Sequence, residues 1–361
     1  MGFNLGIIGL PNVGKSTIFN ALSNAGAEMA NYPFCTIEPN RGIVPVPDDR
    51  LREIGTVLNK INPIPTRIEF IDVAGLVSGA SKGEGLGNQF LGHIRTVDAL
   101  VHVIRLFHDD NVAHLTGDVD PVRDAEIVKT ELMLSDLEIL QKAQVKQEKL
   151  ARSGNRDAER RREVIDRCID HLDGGNPLKT LELHKEESTL VREFGLVSAK
   201  PVLYCANVDE EAKNAKEVQR LREYAVSESS DVLTITGKLE EEISELSEEE
   251  KEEFLRELGI GESGLKRLIK ASYRLLDLIT YYTSATDLQA WTLKRGENVL
   301  RAAAQIHTDF ERGFIRADVY SGDDLLREGS ETHMREKGKI RSEGRDYIVH
   351  DGDILKFHFH V

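Results

Sequence analysis

The sequence predicts an α/β fold with a mostly parallel sheet, interrupted by an α-helical hairpin and followed by a small α+β module. Three observations predict it. Short apolar runs alternate with helical stretches over the first hundred residues, as parallel βαβ units do. From about Pro121 to Gly195 strand signals stop, and apolar residues recur at helical spacing. From about Thr280 strand-like runs return.

The first run, "NLGIIGL", is a short buried strand. A Gly-rich turn follows, then the helix "KSTIFNALSNA". "RIEFIDVAG" and "DALVHVIRLF" are the next strands, and "KPVLYCANV" and "DVLTIT" two more. Between them, "DAEIVKTELMLSDLEILQKAQVKQEKLAR" and "DAERRREVIDRCIDHL" are two helices broken by "SGN" and "GGNP", an antiparallel coiled-coil hairpin with Ile127, Leu134, Leu137 and Val145 among its apolar positions. "LEEEISELSEEEKEEFLRELGI" is acidic and helical, with a solvated face. In the last stretch, "QAWTL", "GFIRADVY", "DYIVH" and "ILKFHFHV" are strand-like, "GENVLRAAAQIH" is a helix and "HDGD" a tight turn. The expected domains are 1–120 with 196–279, the insert 121–195, and the module 280–361.

Composition narrows the function classes. The chain has 361 residues, 40% hydrophobic and 30% charged, enough for two or three domains. Its net charge of −15 means that a nucleic-acid partner needs a local basic patch. No apolar run reaches the length of a membrane span, and no membrane partner is expected. "MGFNLGIIGL" lacks the features of a secretory leader, and Gly6 stands where a myristoylation signal has Ser or Thr. Cys35, Cys168 and Cys205 have neither metal-ligand nor disulfide spacing, which fits a reducing cytoplasm. Cys35 reads as a half-buried thiol, with a redox handle as the alternative.

Gly9, Gly14, Lys15 and Ser16 fit the phosphate-loop pattern G-x-x-x-x-G-K-[ST] between a strand and a helix. The loop amides of Asn12 to Thr17, Val13 among them, can surround phosphates, and the helix N-terminus favours their charge. Lys15 reaches the β and γ phosphates, and Ser16 places its hydroxyl on Mg²⁺. In "DVAG", Asp72 ends a strand where a carboxylate holds the metal through water, and Gly75 turns its N–H toward the γ-phosphate. Thr36, in a polar loop, completes the metal shell in the triphosphate state. Loops ordered in this way form a known class of switch.

Base choice rests on Asn207-Val208-Asp209-Glu210. The phosphate loop with Thr36, Asp72 and Gly75 resembles the translation-factor-like branch of P-loop NTPases, whose GTP-binding members carry Asn-Lys-x-Asp, the Asp accepting two hydrogen bonds from guanine. Here Val208 removes the Lys and Glu210 replaces the Asp with a longer arm. A site without its paired acceptor gives up discrimination of up to about 10⁴-fold. Asn207 keeps a bond to the purine edge, and adenine becomes acceptable. Thr236-Gly237-Lys238 is the next base-facing loop. The alternative is that Glu210 still reads guanine. At the Gln position that orients water in related GTPases stands Leu76, so intrinsic hydrolysis is expected to be slow. Asn12 is a candidate for holding K⁺ beside the phosphates, the alternative being that it only shapes the turn.

"NYPFCTIEPN", "DVAGLVSGASKGEGLGNQFL", the helical insert and the terminal module together resemble the YchF family of Obg-like ATPases over essentially the whole chain. "AAAQIHTDFERGFIRADV…YIVHDGDILKF" resembles that family's TGS domain, a β-grasp module. The resemblance implies ATP preferred over GTP, hydrolysis to ADP and phosphate, K⁺ bound through Asn12, and ribosome or ribosomal-subunit binding through RNA. It also implies a hydrolytic role for His114, ahead of His93. The function expected is a cytoplasmic Mg²⁺-dependent ATPase switch. The alternatives are a GTPase switch, a nucleotide-gated scaffold with negligible turnover and, more distantly, a metabolic kinase. Lys146, Lys149, Arg152, Arg156, Arg160, Arg161 and Arg162 on the hairpin, and Arg335, Lys337, Lys339, Arg341 and Arg345 in the terminal module, read either as solvated charge or as phosphate-binding edges.

Overall fold

The computed structural model describes residues 2–27, 40–73, 86–109, 118–209 and 214–360. The elements begin with β1 (Asn4–Ile8), α1 (Lys15–Ala27), β2 (Arg41–Pro45), α2 (Asp49–Val57), β3 (Arg67–Asp72), α3 (Leu86–Thr96) and β4 (Ala99–Arg105). Next come α4 (Pro121–Ala151), α5 (Arg156–Asp173), a short 3-10 turn (Leu178–Thr180) and α6 (Lys185–Glu193). β5 (Val202–Asn207), α7 (Ala215–Ser227), β6 (Asp231–Ile235), α8 (Gly237–Ser244), α9 (Glu248–Glu257) and α10 (Gly264–Leu275) follow. The chain ends with β7 (Leu278–Thr283), β8 (Gln289–Lys294), α11 (Val299–Ile306), α12 (Thr308–Arg312), β9 (Phe314–Ser321), α13 (Gly322–Glu328), α14 (Glu331–Glu336), β10 (Arg341–Glu343) and β11 (Asp353–Phe359).

Two compact units result: Asn4–Gly42 with Phe70–Leu268, and Met1–Phe3 with Ile43–Glu69 and Ile269–Val361. The six-stranded sheet has the order β2-β3-β1-β4-β5-β6. The pairs β1–β4, β4–β5 and β5–β6 are parallel. At the other edge, the bonds Asp72 N–H to Asn40 O and Val46 N–H to Thr66 O run β2 antiparallel to β3. β4 is buried at every position, as a central strand covered on both faces must be. β2 was not legible in the sequence, because alternating exposure and two prolines hide a strand of five residues.

The insert is an antiparallel helix pair. Asp120 caps α4 and Asn155 caps α5, each accepting two backbone N–H bonds. Its core is Met133, Leu140, Ile165, Cys168 and Leu172, closed by Leu178, Val191 and Leu196. This corrects the apolar face expected from the sequence: Leu134 and Val145 are exposed, and Leu132 and Met133 point inward. Polar residues share the buried face. Asp136 is fully buried and accepts from the N–H groups of Val197 and Ser198 at 2.9 and 2.7 Å, tying α4 to the approach to β5.

A second anchor is Glu228, just after α7. It accepts from Tyr204 and Tyr224 hydroxyls at 2.9 Å each and pairs with Lys129 at 2.9 Å and Lys179 at 3.2 Å. These bonds hold its carboxyl below the usual range although burial pushes the other way. The stability it contributes is therefore present above the ordinary carboxylate pKa and is lost as pH falls through the lower folded value. Glu228→Ala leaves the half-buried Lys179 without its carboxylate and Lys129 with Glu126 alone. It is expected to cost about 3–5 kcal/mol, read as a fall in urea midpoint at unchanged slope.

In the second unit the sheet order is β10-β9-β11-β7-β8. One core face gathers Ile279, Tyr281, Leu293, Val319 and Leu355 with Trp291 packed against it. The other gathers Tyr282, Tyr320, Leu325 and Ile354 with Leu51 and Ile54 of α2. "DYIVH" is not a strand, contrary to expectation. It makes only an isolated bridge from Ile348 to Asn298, and β10 supplies the edge instead. The terminal basic run is largely neutralised: Lys337 pairs with Glu328, and Lys339 with Asp324 and Glu328. His358 bonds Asp318 at 2.8 Å on the sheet surface. Among the described residues no helix is long and apolar enough to cross a membrane.

Candidate nucleotide site

β1 delivers the chain to Gly9, and α1 begins at Lys15, so the loop lies at the C-terminal edge of the sheet, where parallel α/β folds place ligands. Two glycines are dictated by geometry. At Gly9 φ is +155° and a Cβ would stand 2.6 Å from the Val103 carbonyl oxygen. At Gly14 φ is +91° and a Cβ would stand 2.2 Å from Asn207 Nδ2. Asn12 sits at φ 62°, a left-handed value that Asn tolerates better than most residues. Its turn-shaping role is therefore observed, whatever it binds besides. Val13 is buried and fixes the loop to the sheet, while Ser16 is exposed at the helix start.

Lys15 and Asp72 form the electrostatic centre. Burial lowers the Lys15 pKa, partly offset by Asp72. Burial raises the Asp72 pKa, partly offset by Lys15. Each charge is thus desolvated and only part-compensated by the other. Asp72 Oδ1 is buried and has no hydrogen-bond partner among the described residues. A buried oxygen without a partner is costly, and a metal-bound water is one group that would satisfy it. No cluster of three or more His, Cys, Asp or Glu able to hold a metal occurs among the described residues. Ser16 and Asp72 offer oxygen donors, a set that fits a hard cation taking most of its oxygens from phosphate and water, as Mg²⁺ does.

Asn207, last residue of β5, is 5% exposed and joins two loops. Its Nδ2 donates to the Val13 carbonyl at 3.0 Å, and its Oδ1 accepts from the Gly237 N–H at 2.9 Å. The sequence had suggested only a base contact for it. Gly237, placed in the base-facing loop, opens α8 under this amide. Val208 packs against the cluster of Ile104, Leu106, Tyr204 and Val218, which leaves no Lys stem to lie on a base. Asp209 had no role in the sequence reading. It accepts from the His108 N–H at 3.2 and 3.3 Å and so pins the segment after β4. Its place inside the Asn207–Glu210 motif was the available signal.

Thr36, Cys35, Gly75, Leu76, His114 and Glu210 lie outside the described residues. His93 is exposed in the last turn of α3. Lys15, Asp72, Gly14 and Asn207 are thus assembled around one loop, with Thr17 half-buried on the first turn of α1.

Comparison with known proteins adds the following. A family model described as 50S ribosome-binding GTPase matches residues 4–150. A second, YchF-GTPase_C, described as a protein of unknown function, matches residues 278–360. The chain is 49% identical over 366 residues to the ribosome-binding ATPase YchF of Bacillus subtilis (strain 168), with 100% of both chains covered. It is 47% identical over 363 residues to the protein of that name from Escherichia coli O157:H7, again with 100% of both covered. Among solved structures, the Schizosaccharomyces pombe YchF GTPase superposes with a TM-score of 0.89 at 32% identity, covering 99% of this chain and 98% of that one. The relatives' names disagree on the nucleotide, ATPase for the bacterial proteins and GTPase for the yeast one.

Proposed function

The chain belongs to the YchF family, and from that premise we propose that it is a P-loop ATPase of the YchF type that acts as a ribosome-associated regulatory switch. The observation that carries the hydrolase reading is the loop itself: a left-handed Gly14 locked under Asn207, followed by the desolvated Lys15 beside Asp72. Lys15 holds the β and γ phosphates, the amides of Val13 to Thr17 surround them, and Ser16, Thr36 and Asp72 hold Mg²⁺. The metal, when bound, neutralises charge on the phosphate oxygens. Gly75 would offer its N–H to the γ-phosphate, Asn12 would hold a K⁺ beside the phosphates, and His114 completes the proposed hydrolytic set. With Leu76 unable to orient water, turnover of the isolated chain is slow. The proposed domains are 1–120 with 196–279 for nucleotide, 121–195 for the helical arm and 280–361 for the TGS module, in a cytoplasmic protein that meets the ribosome through RNA.

Base choice follows from Val208 and Glu210. The test is competitive binding of ATP and GTP in Mg²⁺, with turnover compared in K⁺ and Na⁺. ATP is expected to bind at least tenfold more tightly than GTP. The pair Val208→Lys with Glu210→Asp should shift that ratio toward GTP by 10-fold or more, on the order of a restored bidentate acceptor. A wild type that prefers GTP, or a double variant whose ratio does not move, overturns the adenine assignment.

A further inference from the structure

We propose that Arg105 is a positioning residue for the phosphate loop, and that it acts through the ring of Phe107. The inference deepens the nucleotide reading above and rests on it. Arg105 ends β4 and stands in register with Asn207, the last residue of β5. β4 lies between β1, which enters the loop, and β5, which carries the brace, so its end is flanked by both strands that feed the site. Arg105 is 3% exposed. A guanidinium keeps its charge, and burying one is costly unless its N–H groups are bonded. Two of them engage the chain just ahead. Nε donates to the Phe107 carbonyl at 3.2 Å, and Nη2 to the Asp109 carbonyl at 3.3 Å. The guanidinium carbon lies 4.4 Å from the Phe107 ring centroid, within the range of a cation–π contact. One planar group thus fixes both the backbone and the ring of Phe107, and Lys offers neither the fork nor the plane.

Other side chains complete the hold on this stretch. Asn214, 4% exposed, donates to the Leu106 carbonyl, and the Leu106 N–H donates to the Asn207 carbonyl at 2.8 Å. Asp209 accepts from the His108 N–H. Leu106 to Asp109 belong to no helix or strand, and these bonds give them one conformation. The consequence falls on Gly14. A Cβ built there would stand 3.9 Å from Phe107 Cε1, an ordinary van der Waals distance, and 2.2 Å from Asn207 Nδ2. Gly14 therefore has two neighbours, the Asn207 amide and the half-buried Phe107 ring. Asn207 ties the loop by a hydrogen bond to Val13. The ring confines it by contact alone, and a ring confines only if it is itself held. An arginine engaged on two carbonyls and a ring is not aimed at a phosphate, so the geometry favours positioning over an arginine finger supplied in cis.

The test is a double-mutant cycle on the full chain, with Arg105→Gln, Phe107→Leu and the pair, and with Arg105→Lys alongside. Mg-ATP and Mg-ADP affinities are measured by calorimetry, and KM and kcat for ATP by steady-state turnover. Arg105→Gln and Phe107→Leu should each weaken ATP and ADP alike by roughly 10-fold, because a loosened loop has to be ordered by either nucleotide. The pair should stay within about threefold of the weaker-binding single variant, where independent sites would multiply to roughly 100-fold. KM should rise with the Kd while kcat at saturation falls by less than about threefold, the mark of binding lost equally from ground and transition states. Arg105→Lys should not restore affinity; it keeps the charge, and it carries the cycle if the Gln variant does not fold. Unchanged affinities, losses that multiply, or full rescue by Lys overturn the proposal and leave the phosphate loop standing as the site. A fall in kcat alone, with ADP affinity intact, overturns it in favour of an arginine finger. A wild type that binds neither nucleotide removes the loop reading and this inference together.

Discussion

Gly14→Ala is expected to abolish ATP binding in the measurable range, a loss of at least about 100-fold, with the fold intact by circular dichroism. Two independent costs meet at this one atom. The backbone is at φ +91°, where a side chain is strained by roughly 1–2 kcal/mol. The added Cβ would also stand 2.2 Å from Asn207 Nδ2, so one of the two must move. If the loop moves, the amides that face phosphate lose their arrangement. If Asn207 moves, the Val13 carbonyl loses its donor. Relief of the clash therefore disturbs the loop by either route, which is why the effect on binding exceeds the effect on stability. Gly92→Ala is the control: it lies in α3 with no atom within 4 Å of the added Cβ. Isothermal titration with Mg-ATP decides the matter, and binding by Gly14→Ala within threefold of wild type would mean that the loop is not the site.

Much of this arrangement was legible in the sequence because the signals were local. Gly9, Gly14 and Lys15 announce themselves through spacing, and Asp72 through its place at the end of an apolar-rich strand. The long helices of the insert were legible because a periodic pattern of that length admits few alternatives. Their buried face was not: α4 hides Asp124, Ser135, Asp136 and Gln147 on its inner side, so a reading that follows only apolar residues rotates the helix. That burial is set by tertiary partners, Val197 and Ser198 for Asp136, which lie some sixty residues away. β7 was missed for a related reason. It belongs to a fully covered central strand, "LITYYT", whose polar Thr280 is buried and bonded to Tyr273. The role of Asn207 as a brace was equally invisible, since it depends on Val13 and Gly237, residues 194 and 30 positions distant.

That brace sets the second large effect. Asn207→Ala is expected to lower the unfolding temperature by roughly 5–15 °C and to weaken ATP binding 10- to 100-fold. The amide is 5% exposed, and its loss strands two buried backbone groups, the Val13 carbonyl and the Gly237 N–H. Each costs about 1–3 kcal/mol when left without a partner, and a unit of this size loses about 2–4 °C per kcal/mol. Binding suffers beyond stability because the phosphate loop and the start of α8 then have to be ordered by the nucleotide itself, and that ordering is deducted from affinity. Asn207→Asp separates the two halves of the brace. It keeps an acceptor for Gly237 but turns a carboxylate oxygen toward the Val13 carbonyl, so the repulsion falls on the phosphate loop alone. ATP affinity should then fall at least as far as in the Ala variant, while Asn207→Ala and Asn207→Asp should lose less ADP-to-ATP discrimination than total affinity. Calorimetric melting and Mg-ATP titration of the three proteins provide the check. Should both variants bind ATP like the wild type, the two loops are held by something other than this side chain, and the coupling of base side to phosphate side through β5 is lost with it.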